Sequence, residues 1–192
     1  MIKARIDDKA RVVDLLTQSF NDNQSVNYIV KQDNKRVDRI RFLMEYSYEV
    51  CSMFGEVWLS DDRKACALLL YPQLKRTTLK SIWLDIGLMF QSIGLDGIQK
   101  ALNRETQIKG LQPKIEMTYL WFVGVDPAHQ HSGIGSKLLN EIISEANSKK
   151  LPIYLETSTI QNLPWYQRFG FEVYDQLELT YTLFFLKREP DK

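Results

Sequence analysis

The sequence predicts a mixed α/β domain, and three observations carry that prediction. Thr118 to Val125 is apolar on both faces, as a strand buried inside a sheet must be. A helix-period stripe follows, then a second apolar strand opened by Pro152, which together make a strand–helix–strand unit with parallel strands. Upstream, two short apolar runs flank Asp61-Asp62-Arg63-Lys64 at hairpin spacing, so antiparallel strands precede the parallel unit.

Asp7 or Asp8 is placed to cap a first helix with Ala10, Val13, Leu16 and Phe20 on one face. A second helix starts near Asn34, buries Val37, Ile40, Met44, Ser47 and Cys51, and ends at Gly55. Glu56 to Leu59 and Ala65 to Tyr71 form the hairpin. From Leu79 to Lys109 the pattern is helical again, with Leu79, Ile82, Trp83, Ile86, Met89, Phe90 and Ile93 on one wide apolar face and a break at Gly94 and Gly97. That face reads either as packing or as a wall over a substrate cleft. The central strand follows, where Gly124 signals a bulge or a close backbone approach. The next helix carries Ile134, Leu138, Ile142 and Ala146 inward, with Lys137, Glu141, Glu145 and Lys149 outward. Ile153 to Glu156 is a strand, Leu163 to Phe169 a short helix stopped by Gly170, and Phe171 to Val173 and Glu178 to Phe185 are the last strands. No linker or repeat divides the chain, so residues 1–192 read as one domain.

Composition narrows the function. Lysine plus arginine number 25 and aspartate plus glutamate 24, so the basic surplus that phosphate-backbone binding needs is missing and no nucleic-acid partner is expected. Lys100, Arg104, Lys109 and Lys114 read as a solvated face. Cys51 and Cys66 lack any paired spacing, which excludes a disulfide framework and a cysteine zinc cluster and suits a cytoplasmic location. His129 and His131 lack further metal ligands, so no metal is expected. The start of the chain shows no signal-peptide pattern. Ile82 to Leu95 is interrupted by Asp85 and Gln91 and falls short of the roughly 20 apolar residues of a membrane span, so a soluble protein is expected.

The loop between the central strand and its helix, Val125-Asp126-Pro127-Ala128-His129-Gln130-His131-Ser132-Gly133-Ile134-Gly135-Ser136, carries the chemistry. The first amides of a helix have no internal partners and sit at the positive end of its dipole, a setting that holds phosphate. Gly133 and Gly135 keep side chains away from those amides. A Walker lysine is missing and the glycine spacing is not that of a dinucleotide fold.

With these residues this half of the chain resembles the GNAT superfamily of N-acetyltransferases. Gln130-His131-Ser132-Gly133-Ile134-Gly135 fits that family's Q/R-x-x-G-x-G/A loop, and Asn162-Leu163-Pro164-Trp165-Tyr166-Gln167-Arg168-Phe169-Gly170-Phe171 fits its second half. The resemblance covers about residues 115 to 175; residues 72–112 fall outside the common core and read as a helical insertion. It implies a central mixed sheet with antiparallel N-terminal strands, a splayed parallel pair and flanking helices. It also implies acetyl-CoA as acyl donor. Backbone amides from Gln130 through His131, Ser132, Gly133, Ile134 and Gly135 to Ser136 would hold the pyrophosphate. Phe122, Val123, Gly124 and Val125 would run beside the pantetheine arm, where a backbone N–H polarises the thioester carbonyl. Asn162 would bond the pantetheine or hold the strand opening, and Tyr166 would bind there and protonate the departing thiolate. Thr159 departs from the family, which often carries a second asparagine at that position.

An amine near its reference pKa of about 10 must lose a proton before it attacks. Glu156, at a strand end, is the candidate base, with Glu116 and Tyr119 as alternatives. The reading is acetyl transfer to an amine of a small molecule or peptide; the alternative is an acyl-CoA-binding sensor or scaffold that does not turn over. A longer acyl chain lodged against the Leu79–Ile93 face is a third option. Oligomeric state is open, a homodimer included.

Overall fold

Leu68, Phe122 and Leu155 come from three strands far apart in sequence, and all are buried in one sheet. The computed structural model describes residues 1–191. Seven strands run in the order β1-β2-β3-β4-β5-β7-β6. They are β1 (Ile2–Lys3), β2 (Gly55–Leu59), β3 (Ala65–Leu70), β4 (Thr118–Val125), β5 (Ile153–Thr157), β6 (Glu172–Glu178) and β7 (Thr182–Arg188). Every neighbouring pair is antiparallel except β4 and β5, which are parallel and joined through α6 (Ile134–Ser148). The mixed sheet is the fold class that the sequence predicts, although the last two strands overlap Phe171 to Val173 and Glu178 to Phe185 only in part and extend beyond each.

Apolar residues fill both faces. Under α1 (Lys9–Ser19) and α3 (Arg36–Phe54) lie Val12, Leu16, Ile40, Met44, Leu68 and Phe122. Under α6 and α7 (Leu163–Arg168) lie Leu69, Leu120, Leu138, Ile142, Leu155 and Phe171. Ala10 and Val37 are exposed, so the inward stripes of α1 and α3 are narrower than expected. Asp8 flanks α1 without capping it: its carboxylate accepts from the Arg5 amide at 2.9 Å and pairs with Arg63. A six-residue helix, α2 (Gln24–Ile29), was not expected; the Asn23 side chain caps it by accepting from the Val26 amide at 3.0 Å.

The segment between β3 and β4 forms α4 (Leu79–Gly87), a π-helical turn over Leu88–Ile93, and α5 (Ile98–Leu111), with Gly94 at φ 76° ending the π turn. Of the broad apolar face expected over Leu79 to Ile93, Ile93 is buried and Met89 half-buried, and the rest points outward. Leu79 is 80% exposed, Trp83 72% and Phe90 59%, while Leu84 and Leu88 pack on the core. Leu79, Ile82, Trp83, Ile86 and Phe90 are therefore neither core nor the lining of an acyl tunnel.

Gly55 ends α3 for a steric reason. Its backbone is extended, and a Cβ there would lie 2.0 Å from the Leu69 carbonyl oxygen across the β2–β3 ladder. Backbone cannot step aside as a side chain can. Gly55→Ala is expected to cost about 1–3 kcal/mol or more in urea-induced unfolding, and an unchanged midpoint would remove this contact from the account.

Candidate active site

The parallel pair opens almost as soon as it forms. Thr118 pairs with Ile153 and Tyr119 with Tyr154, and beyond those two positions β4 and β5 part. From Leu120 onward β4 is hydrogen-bonded only on its β3 side. That ladder itself slips: Leu69 faces Leu120 while Leu68 faces Phe122, so Trp121 is the extra residue of a bulge. The bulge turns Trp121 and Phe122 to the same face, against Tyr46 and Phe20 respectively. The sequence places a bulge or close approach at Gly124. The structure gives Gly124 the close approach, since a Cβ would lie 3.0–3.1 Å from Leu16, Leu15 and Ser19.

At the mouth of this opening the chain turns through Pro127–His129 into α6. Asp126 braces the turn by accepting from the Ala128 amide at 3.1 Å and from Arg11 at 2.9 Å, and the guanidinium holds its carboxyl below the usual range. Ser132 Oγ donates to the His129 carbonyl. Gly133 precedes α6 at φ 84°, in the left-handed region, and no side chain caps the helix. A Cβ on Gly133 would meet nothing within 4 Å, whereas one on Gly135 would lie 3.0 Å from Val125 Cγ2. Gly135 thus sits tight against β4, where a Cβ would require the Val125 side chain to give way. Ser136 Oγ accepts from Trp165 Nε1 at 3.0 Å, which ties α7 to the start of α6. Gln130 and Thr159 line a cleft of about 350 Å³ with Gln18, Ser19, Asn23 and Pro127.

Two titratable residues flank the opening on opposite faces of the sheet. Tyr166 lies on the α6 side, its ring centroid 4.7 Å from that of Trp165 and 5.6 Å from that of Phe171. Burial pushes its phenol above the ordinary 10, so it keeps its proton. Glu156 shares the other face with Tyr154, two positions beyond the last residue of β5 that pairs with β4. Tyr119 Oη donates to Glu156 Oε2 at 2.6 Å, and Gln112 Nε2 donates to Oε1 at 2.8 Å. Loss of solvent outweighs both donors and raises the carboxyl above its ordinary 4.5. Of the alternative bases, Tyr119 is thereby joined to Glu156, while Glu116 is exposed. The Asn162 side chain is also exposed, at the start of α7, and the backbone N–H of Asn162 donates to the Thr159 carbonyl at 2.9 Å.

The sequence reading missed the wall behind Glu156. Gln112 follows the last turn of α5, and Arg104 projects from the same helix to bond Tyr181 Oη at 3.0 Å and Ser25 Oγ at 2.6 Å. The pattern that puts Arg104 on a solvated face counts charges along the chain, but its side chain is half-buried between α2 and the β6–β7 turn.

Residues 99–173 match the family model described as an acetyltransferase (GNAT) domain. An uncharacterised N-acetyltransferase of Schizosaccharomyces pombe is 40% identical over 62 residues, which span 32% of this chain and a quarter of that protein's length. Among solved structures, the histone acetyltransferase HPA2 and related acetyltransferase from Corynebacterium glutamicum superposes with a TM-score of 0.71 at 19% identity, covering 100% of this chain and 96% of the other. Arylalkylamine N-acetyltransferase 2 from Aedes aegypti superposes at 0.64 and 14% identity, over 99% and 98% of the two chains. At those identities the likeness is one of fold.

Proposed function

We propose that the chain is a GNAT-domain protein that transfers the acetyl group of acetyl-CoA to an amine of a small molecule or peptide. The observation that carries this reading is the opening between β4 and β5, two ladder pairs long before it parts, with the uncapped start of α6 at its mouth. An extended thioester arm suits the unpaired edge of β4. The free amides of the Gln130–Ser136 loop suit the two phosphates of CoA. A backbone N–H within Phe122–Val125 would face the thioester oxygen as negative charge grows on it. When bound, acetyl-CoA supplies the activated acyl carbon.

The protein's own groups do the rest. Glu156 takes a proton from the incoming ammonium, freeing the nitrogen lone pair to form the new C–N bond. As the C–S bond breaks, the new amide nitrogen gives its second proton to solvent, while Tyr166 gives its own proton to the departing sulfur and regains one from solvent. Asn162, exposed at the start of α7, would bond the pantetheine arm. Residues 1–192 act as one domain in this reading, with residues 72–112 as the insertion whose α5 forms the acceptor wall.

Incubation with acetyl-CoA and an amine library, read by mass spectrometry, tests the reading, with calorimetry of CoA binding beside it. Acetylated product and saturable CoA binding are the expected results. Failure to bind CoA overturns the reading at its root. Tight binding with no product from any amine leaves a sensor or scaffold instead.

A further inference from the structure

We propose that the acceptor carries a carboxylate as well as its amine, and that Arg104 holds this carboxylate while the amine faces Glu156. The proposal rests on the acyltransferase reading of the β4–β5 opening and names the class of its second substrate.

Arg104, Ile108 and Gln112 recur every four residues, which puts them along one side of α5. Ile108 is buried against Tyr181, Leu183 and Phe185, so this side faces the β6–β7 hairpin. At one end of the stripe Gln112 holds Glu156. At the other end Arg104 donates to Tyr181 Oη and Ser25 Oγ. The strand that carries Glu156 reaches the same place two residues later, where Ser158 Oγ accepts from the Ser25 amide at 3.4 Å. The 350 Å³ cleft opens beside this junction, lined by Asn23 and Thr159, near neighbours of Ser25 and Ser158 in the chain, and by the carboxylate of Asp22. Glu156 and Arg104 thus stand on one wall as opposite charges that do not form an ion pair.

The guanidinium leaves most of its donor capacity unused within the protein. An arginine has five N–H donors, and here two are spent, both on neutral hydroxyls. Three other partly buried arginines meet carboxylates, Arg11 with Asp126, Arg39 with Asp33 and Arg188 with Asp191, while Arg36 also lacks one but spends three donors on Asn21 and Asn27. Among the described residues no carboxylate forms a salt bridge with Arg104; its neighbour Glu105 pairs with Lys109 instead. The two hydroxyls fix the orientation of the planar fork and leave donors for a bidentate anion. One turn earlier Lys100 stacks 3.7 Å over the Tyr28 ring, adding positive potential at the same end. A zwitterionic acceptor matches this polarity, with its cation toward Glu156 and its anion toward Arg104. A diamine of similar length would bring a second cation against Arg104 and Lys100.

The experiment uses acetyl-CoA with ω-amino acids from glycine to 6-aminohexanoate, each beside its methyl ester and the diamine of equal length. The best acid is expected to exceed its ester by about 10- to 100-fold in kcat/KM, the worth of one charge-assisted pair. Arg104→Gln should abolish that preference by raising KM for the acid, leaving the ester's kinetics and CoA affinity as in the parent. Arg104→Lys, which keeps the charge without the fork, should fall between and guards against a folding defect. Acids no better than esters in the parent, or equal losses on both in Arg104→Gln, overturn the proposal. If the parent acetylates no amine, the acyltransferase reading fails on its own. Calorimetry of the same acids and esters then decides the Arg104 site: saturable binding of an acid but not its ester, lost in Arg104→Gln, supports it, and its absence overturns it.

Discussion

Tyr166→Phe is expected to lower kcat by about 10²–10⁴-fold while CoA affinity stays near that of the parent, the range typical of a lost general acid. The ring lies in the core beneath α6, beside Trp165 and Phe171. Phenylalanine keeps that packing and removes only the hydroxyl, so thermal stability should change little. Because burial raises the phenol above 10, Tyr166 remains protonated throughout the working pH range and contributes no alkaline limb below that value. The parent and variant pH profiles should therefore run parallel, offset by the loss in rate. An acyl donor with a better leaving thiol needs less help from the acid, so the offset should shrink with such a donor. Turnover equal to the parent's would take Tyr166 out of the mechanism.

The parallel unit and its loop were legible in the sequence because their signals are local. The apolar run of β4, the four-residue period of α6 and the glycines between them lie within one stretch of chain. The pair that frames the acceptor side was not. Gln112 and Glu156 are 44 residues apart, and nothing in either neighbourhood announces the other. Arg104 was hidden for the same reason, since Ser25 lies 79 residues upstream. The α4 face shows a different limit. Periodicity identifies a helix and its apolar stripe, but which stripe faces the protein depends on packing. Here Leu84 and Leu88 pack inward and most of the wider stripe does not. The contact of Gly135 with Val125 is invisible in the loop motif, because it depends on how α6 packs on β4.

Glu156→Gln should reduce kcat/KM by a comparable factor, about 10²–10⁴, and its pH dependence separates a base from a structural carboxylate. A base works deprotonated, so parent activity should climb as pH rises through the pKa of Glu156, which burial places above the ordinary 4.5. The glutamine variant has no such group and should lose that acid limb. Tyr119→Phe removes a donor that favours the carboxylate at 2.6 Å, so the limb should move to higher pH, a shift that a purely structural role for Tyr119 would not produce. Stability carries the opposite sign. The folded state binds the Glu156 proton more tightly than the unfolded chain does, so stability falls as pH rises from about 4.5 through the raised pKa and is flat above it. Glu156→Gln should lack that decline and melt no lower than the parent at pH 7, since a neutral amide replaces a partly buried charge and Tyr119 Oη can donate or accept. A less active variant that is no less stable is what a functional carboxylate held against its own solvation predicts. Unchanged kcat/KM across the pH range would move the base elsewhere, whereas lost activity together with a lower melting temperature would make Glu156 a structural residue.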